Sequence, residues 1–283
     1  MFRQWTPYLY LVIPAIFFVA FFFLPLGMAF RISLFDYAHD LYQPAFVGLS
    51  NYATLLKTPV FWTALQNTFI LFGGVAPIMV ILPLALALLV NGKLPGMAAF
   101  RALLYLPVVV SMVVSGLTWR WLYADDGLIN ALLARLHIPK VGWLVNPDVA
   151  LYSVMAVIVW KGAAYYMMMY LAHLQNVSQD LYEAAVLDGA DGWRKHWHVT
   201  LPYLRPTMVM VAIISTIGSL KVFTEIYVMT RGGPAGATKT LVYYIYERAF
   251  ENLDLGLASA AGILLMFILL AFSILESKVG DAA

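Results

Sequence analysis

EAAVLDGADGWRKHWHVTLP, residues 183–202, is a polar segment set between two long apolar runs, 151–175 and 207–230. Within it, 180–187 has helical character with the small residues Ala184 and Ala185, and Gly189 permits a sharp backbone turn that residues with a Cβ resist. A second short amphipathic stretch runs from Trp193 toward Thr200, and Pro202 and Pro206 are expected to stop it before the next apolar run. The segment reads as a compact helix-turn-helix projection carrying Trp193, Arg194, Lys195, His196 and Trp197 in the open. A chain that places such residues between two spans presents a surface to something outside the bilayer.

The bilayer itself follows from composition. With 63% hydrophobic and 11% charged residues in 283, and a mean hydropathy of +0.82, the chain cannot cover itself with a polar surface. Six runs are long enough to cross a hydrocarbon layer as helices, which takes about 20 residues: 8–32, 65–90, 100–122, 151–175, 207–230 and 256–275. They are continuously apolar rather than alternating, which favours helices over a barrel. The fold class is therefore all-α, a polytopic membrane protein with six transmembrane helices in one domain, 1–283. The first run is too long for a secretory signal and has no small-residue cleavage site after Pro25, so it is read as a retained span. A net charge of +2 indicates no nucleic-acid surface, and the absence of cysteine excludes disulfides, thiolate metal sites and cysteine nucleophiles.

Pro14, Pro25, Pro77, Pro83 and Pro107 interrupt the spans and are expected to kink them. Trp119, Trp121 and Tyr123 gather at a span end as interfacial anchors. Counting basic residues, Arg3, Lys93, Arg101, Arg194, Lys195, Arg205 and Lys278 fall on the side of the N-terminus, and Lys57, Arg135, Lys140, Arg231, Lys239 and Arg248 on the other. The first set comes from shorter segments, so its density places both termini in the cytoplasm. Segments 34–64 and 231–255 then read as external loops and 176–206 as a cytoplasmic one.

Ionisable residues within spans usually face protein or water rather than lipid. Lys221 and Glu225 lie four apart on the expected fifth span and can share a face, where pairing offsets an insertion cost of about 2.5–3.5 kcal/mol each. They read either as a structural pair or as part of a translocation cavity. Lys161, Tyr165 and Tyr166 on the fourth span suit stacking on sugar rings and hydrogen bonding to hydroxyls, and Asn67 on the second span joins them as a candidate. Other patterns are discarded. GGPAGATKT (232–240) imitates a phosphate loop, but Thr238 replaces the glycine before the lysine and no strand precedes it. His196 and His198, two apart, point to different helix faces and make a poor metal pair. Neither H-E-x-x-H nor G-x-S-x-G occurs, so no catalytic residue or metal site is assigned.

Glu183-Ala184-Ala185, then Gly189 after three intervening residues and Val199-Thr200-Leu201-Pro202 after nine more, resembles the E-A-A-x3-G-x9-I-x-L-P signature of membrane subunits of bacterial ATP-driven importers, with Val199 where isoleucine is usual. YLPVVVSMVVSGLTWRWLY (105–123), VWKGAAYYMMMYLAHLQNVSQDLYEAA (159–185, with Ala164 in place of an expected glycine) and MTRGGPAGATKTLVYYIYERAFENLDLGLASA (229–260) are similar to the same group, the binding-protein-dependent permeases of the maltose and glycerol-phosphate type. The likeness covers most of 45–278 and is nearer to the upstream permease of the pair.

The resemblance implies a type I ABC importer permease of the bacterial cytoplasmic (inner) membrane, with the 183–202 loop docked in a groove of a cytoplasmic ATPase. It implies a second permease subunit, two ATPase subunits that carry the ATP and magnesium, an external solute-binding protein, and a carbohydrate or polyol moved inward by alternating access. This chain would bind no cofactor and hydrolyse nothing. Its coupling residues would be Glu183 and Asp188 for charged contacts, Gly189 for the turn, Trp193 and Trp197 as apolar anchors, and Ala184, Ala185, Ala190, Leu201 and Pro202 as the remainder of the motif. A secondary transporter driven by an ion gradient is the alternative, although paired broken helices in repeated halves are not evident.

Overall fold

A computed structural model describes residues 6–38, 40, 42–92, 94–190 and 192–281; Arg3 and Lys93, counted above for topology, lie outside them. In chain order the elements are α1 Thr6–Phe18, a π-helical turn Val19–Phe23, α2 Leu24–Ile32, a two-stranded hairpin of β1 Phe35–Asp36 and β2 Ala45–Phe46, α3 Ser50–Lys57, α4 Pro59–Val90, α5 Met97–Val109, α6 Met112–Leu122, α7 Leu128–Arg135, α8 Pro147–Leu174, α9 Gln179–Leu187, α10 Gly192–Lys195, a π turn His196–Thr200, α11 Leu201–Leu220, α12 Thr224–Met229, α13 Leu241–Tyr246, a π turn Glu247–Glu251 and α14 Leu255–Asp281. Among the described residues, five helical stretches are long and apolar enough to cross a membrane, and α5 with α6 makes six when counted as one broken span.

Contacts divide the chain into two compact units. The first comprises residues up to Trp62 together with Tyr244–Ile268. In it the hairpin pairs Phe35 with Phe46, and Asn51 Nδ2 donates to Ser33 O and Phe35 O at 2.8 and 2.9 Å. Gly256, in the first turn of α14, sits so closely against this hairpin that a Cβ would lie 2.3 Å from Phe35 O, which is why a glycine stands there. The second unit, Thr63–Tyr243 with the chain from Leu269, holds a core in which Leu71, Val75, Met79, Val154, Val157, Met167, Tyr170, Leu204, Val211 and Ile226 are buried.

Two spans depart from the sequence expectation. The run 100–122 is not one straight helix: it breaks after Val109 and bends by 95° into α6. Pro107 removes a donor near the end of α5, and Ser111 turns extended and caps α6, its Oγ accepting the Val114 N–H at 3.3 Å. The run 207–230 begins earlier and ends sooner than expected. Helix α11 stops at Leu220, and Glu225 belongs to the separate helix α12. In the connection between them, Thr240 Oγ1 donates to Val222 O at 3.0 Å. Proline does not interrupt α4, which runs through Pro77 and Pro83.

Helix ends are closed by side chains. Arg101 wraps the last turn of α4, donating through Nε and Nη2 to Val90 O at 3.0 and 2.6 Å. Asn146 caps α8 by accepting the Asp148 N–H at 2.9 Å. Thr216 Oγ1 donates to Glu276 Oε1 at 2.6 Å and ties α14 to α11. The connection between α6 and α8 is organised by Asn130, fully buried on α7, which donates to Ala124 O and Val141 O and accepts from Val141 N–H and Trp143 Nε1–H at 3.1–3.2 Å. Asn130→Ala strands these partners and is expected to lower stability by about 2–4 kcal/mol, against about 1 kcal/mol for removing the Asn146 cap. Thermal unfolding of the two variants in detergent checks the order.

Candidate functional site

Helix α9 starts at Ser178, whose Oγ accepts the Asp180 N–H at 3.2 Å, and ends in a closed C-terminal turn. Gly189 N–H bonds to Val186 O at 3.0 Å and Ala190 N–H to Ala185 O at 2.8 Å, the paired bonds of a Schellman cap. Gly189 takes φ +81° to make it. Nothing lies within 4 Å of where its Cβ would be, so conformation and not space selects glycine here.

The chain then returns as α10, the π turn and α11, a helical path without a break from Gly192 to Leu220. Pro202 and Pro206 therefore do not stop it, contrary to the sequence expectation. Pro202 lies in the first turn of α11, next to the π turn where Leu201 N–H reaches five residues back to His196 O, and this wider register accommodates a residue that cannot donate. The second arm of the loop is thus the beginning of the fifth span.

The two arms are joined at Thr200, fully buried, which shares hydrogen bonds with Tyr182 of α9 and Nδ1 of His196, each at 3.0 Å. Trp193 packs edge-on against His196 with ring centroids 5.6 Å apart, so His196 serves the inside of the loop. Between the arms lies a cleft of about 560 Å³ lined by Leu181, Ala184, Ala185, Asp188, Gly189, Ala190, Arg194, His198 and Val199. Leu187 at 89% exposure, Trp193 at 66% and Trp197 at 59% stand out as large apolar side chains on a small projection. Glu183 and Pro202 are exposed as well, while Leu201 is partly buried where the span begins. Leu187 was not singled out from sequence, although a leucine directly before Asp-Gly at a polar loop's apex was the signal for it.

The span candidates separate into two groups. Lys161 and Tyr166 of α8 and Glu225 of α12 line one cavity of about 230 Å³, together with Ser215, Ser219 and Met79. Glu225 has Lys161 as its electrostatic partner, so the Lys221–Glu225 pairing is corrected: Lys221 ends α11 and is exposed. Ser215 and Ser219, four apart on α11, share a helix face and were missed. Tyr165 points away and is 46% exposed. Asn67 is buried, and its Nδ2 is engaged by Gly236 O and Lys239 O at 3.0 and 3.1 Å, where it fastens the loop after α12. Thr238, the residue that spoilt the phosphate-loop pattern, is fully buried and bonds Gly233 O and Thr230.

Residues 2–278 match the family model of the binding-protein-dependent transport system inner membrane component. The chain belongs to this family. It is 36% identical over 93% of its length to the trehalose/maltose transport system permease MalF of Thermococcus litoralis, covering 89% of that protein. It is 39% identical over 73% of its length to the lactose transport system permease LacF of Rhizobium radiobacter, covering 71% of that protein. A solved bacterial alginate ABC transporter, determined in complex with an alginate pentasaccharide-bound periplasmic protein, has a chain that superposes with a TM-score of 0.81 at 26% identity, over 97% of this chain and 93% of that one. The protein is thus a multi-pass permease component of a binding-protein-dependent transport system, with the fold of an ABC importer permease and not that of an enzyme. Family membership removes the gradient-driven secondary transporter from consideration.

Thr200→Val keeps the shape of the joint and deletes both shared hydrogen bonds. Losing two hydrogen bonds of about 1 kcal/mol each multiplies local opening about 30-fold, so tryptic cleavage after Arg194 and Lys195 is expected to accelerate by that order, with Thr200→Ser close to the parent. Equal cleavage rates for all three proteins would remove Thr200 from its role.

Proposed function

We propose that this chain forms one half of the pathway of a carbohydrate importer and that the 183–202 loop docks on a separate ATPase, whose ATP and magnesium supply the work. The observation carrying this reading is the loop itself: a capped, cross-bonded projection, continuous with a span and exposing Leu187, Trp193 and Trp197. Exposed Leu187, Trp193 and Trp197 on a projection that also carries Glu183, Asp188 and Arg194 give it the composition of a protein docking surface, and aromatic anchors carry much of the energy at such surfaces. Because the second arm is the start of α11, a displacement of the loop reaches Ser215 and Ser219 in the cavity along one helix.

Solute would pass through the cavity of Lys161, Tyr166, Ser215, Ser219 and Glu225. Its volume, about 230 Å³, is below the roughly 300–1,000 Å³ of complete small-molecule sites, which fits a pathway whose other wall comes from a second permease subunit. One positive and one negative side chain, with hydroxyls and a tyrosine, suit an uncharged polyhydroxylated solute better than an ion. The relatives named for trehalose/maltose and for lactose point the same way. An external solute-binding protein delivers the solute, both termini lie in the cytoplasm, and alternating access is the transport cycle.

Two substitutions at Gly189 test the coupling. Valine at φ +81° is strained by more than the 1–2 kcal/mol typical of this region, whereas asparagine tolerates it. In proteoliposomes holding the assembled transporter, Gly189→Val is expected to lose binding-protein-stimulated ATP hydrolysis at unchanged membrane insertion, and Gly189→Asn to keep most of it. Trp193→Ala and Trp197→Ala should each weaken ATPase association by about 2 kcal/mol, roughly 30-fold. ATPase co-purifying undiminished with the double Trp variant would contradict the docking role. Uptake of labelled maltose, trehalose and lactose with the cognate binding protein tests the solute class.

A further inference from the structure

The most unusual lysine in the molecule lies at residue 161, midway along the 28-residue helix α8. Its ammonium donates to Pro107 O at 2.9 Å and also to Val110 O. Both acceptors belong to the break in the third span. Helix α5 ends at Val109, and Ser111 is already extended, so Pro107 O lacks the N–H four residues on that a continuing helix would supply. Lys161 takes that place. A cation at the C-terminal end of a helix also meets the negative end of its dipole, which offsets part of the cost of a charge within the membrane.

An ammonium has three donors and two are accounted for at the break. Glu225 lies across the same cavity as the lysine's electrostatic partner. Glu225 is carried by α12, which is locked to α6, the far half of the broken span. Gly116 of α6 approaches so closely that a Cβ there would lie 2.9 Å from Val228 Cγ1, and Arg120 Nη1 donates to Val228 O at 3.3 Å. The lysine therefore stands between the two halves of one span: it bonds the end of α5 directly and faces the carboxylate that moves with α6.

We propose that Lys161 is a positioning residue that holds the third span bent, by donating to the carbonyls freed at Pro107–Val110, with Glu225 as the opposing acceptor for the same ammonium. This reading concerns the shape of the span and stands whether or not the solute is a carbohydrate, so its test uses neither solute nor ATP.

The chain has no cysteine, so label sites can be introduced singly. Phe100 at 51% exposure and Trp121 at 71% flank the break, and a spin-label pair there reads its angle. Ile81 on α4 at 67% and Tyr152 on α8 at 60% provide a control pair away from it. Double electron–electron resonance is recorded on the full chain, co-expressed with its partner permease and held in lipid nanodiscs. Opening a 95° bend between helices of 13 and 11 residues lengthens the 100–121 distance by up to about 10 Å at 1.5 Å per residue. Lys161→Met is expected to move or broaden that distance toward longer values and to leave the control pair alone, Lys161→Arg to restore the parent distance, and Glu225→Gln to keep the short distance and narrow it. A parent-like 100–121 distance in Lys161→Met would overturn the proposal. So would equal shifts in both pairs, which would mean a general loosening. Should Lys161→Met fail to insert, Lys161→Gln and Glu225→Gln carry the test, and a parent-like distribution in both would overturn it.

Discussion

The hydrogen bond from Leu201 N–H to His196 O is the constraint from which the account follows. By reaching five residues back instead of four, it lets the helix continue through Pro202 without a break, and Pro206 lies within the same helix. A stop at these prolines would have left the 183–202 loop on a flexible tether, able to bind a partner but not to push. With the π turn in place, the outer arm of the loop and the fifth span are one rod, and the Schellman cap at Gly189 with the joint at Thr200 fixes the other arm against it.

The same rod carries Ser215 and Ser219 to the cavity that also holds Lys161, Tyr166 and Glu225. Thr216, between them in sequence, is bonded to Glu276 of the last helix, so the fifth span is also tied to α14. Trp193 and Trp197 are thus joined to polar groups within the membrane by one continuous helical path. This chain has an exposed projection and a polar cavity joined by one helix, and the family to which it belongs is one of transport permeases.

The sequence made the general architecture legible because apolar run length is a strong signal in a bilayer. It also made the turn of the 183–202 loop legible, since Gly189 acts through local backbone geometry that spacing alone preserves. It was less informative where a distant partner decides. Asn67 looks like a free polar group in a span until the carbonyls of Gly236 and Lys239 are brought to it. Lys221 and Glu225 look like a helical pair, but α11 ends at Leu220 and Glu225 belongs to α12, with the Val222 carbonyl between them bonded to the distant Thr240. The bend at Val110–Ser111 had local signals in Pro107 and Ser111, but the group that answers the freed carbonyls, Lys161, is 51 residues away from Val110. Proline misled in the opposite direction: at Pro202 the adjoining π turn has already shifted the ladder, and Pro77, Pro83 and Pro206 sit inside helices that continue past them.

The rigidity of the loop-to-span rod is the point to measure. Spin labels at Arg194 and Met210, 16 residues apart on the continuous helical path, report its length, about 24 Å along an α-helical axis; labels at Arg194 and Tyr152 report its position against α8. Both distances are recorded in the assembled transporter with and without nucleotide. The account predicts that the first stays constant while the second changes; a change in the first, showing a hinge at Thr200–Pro202, would contradict it.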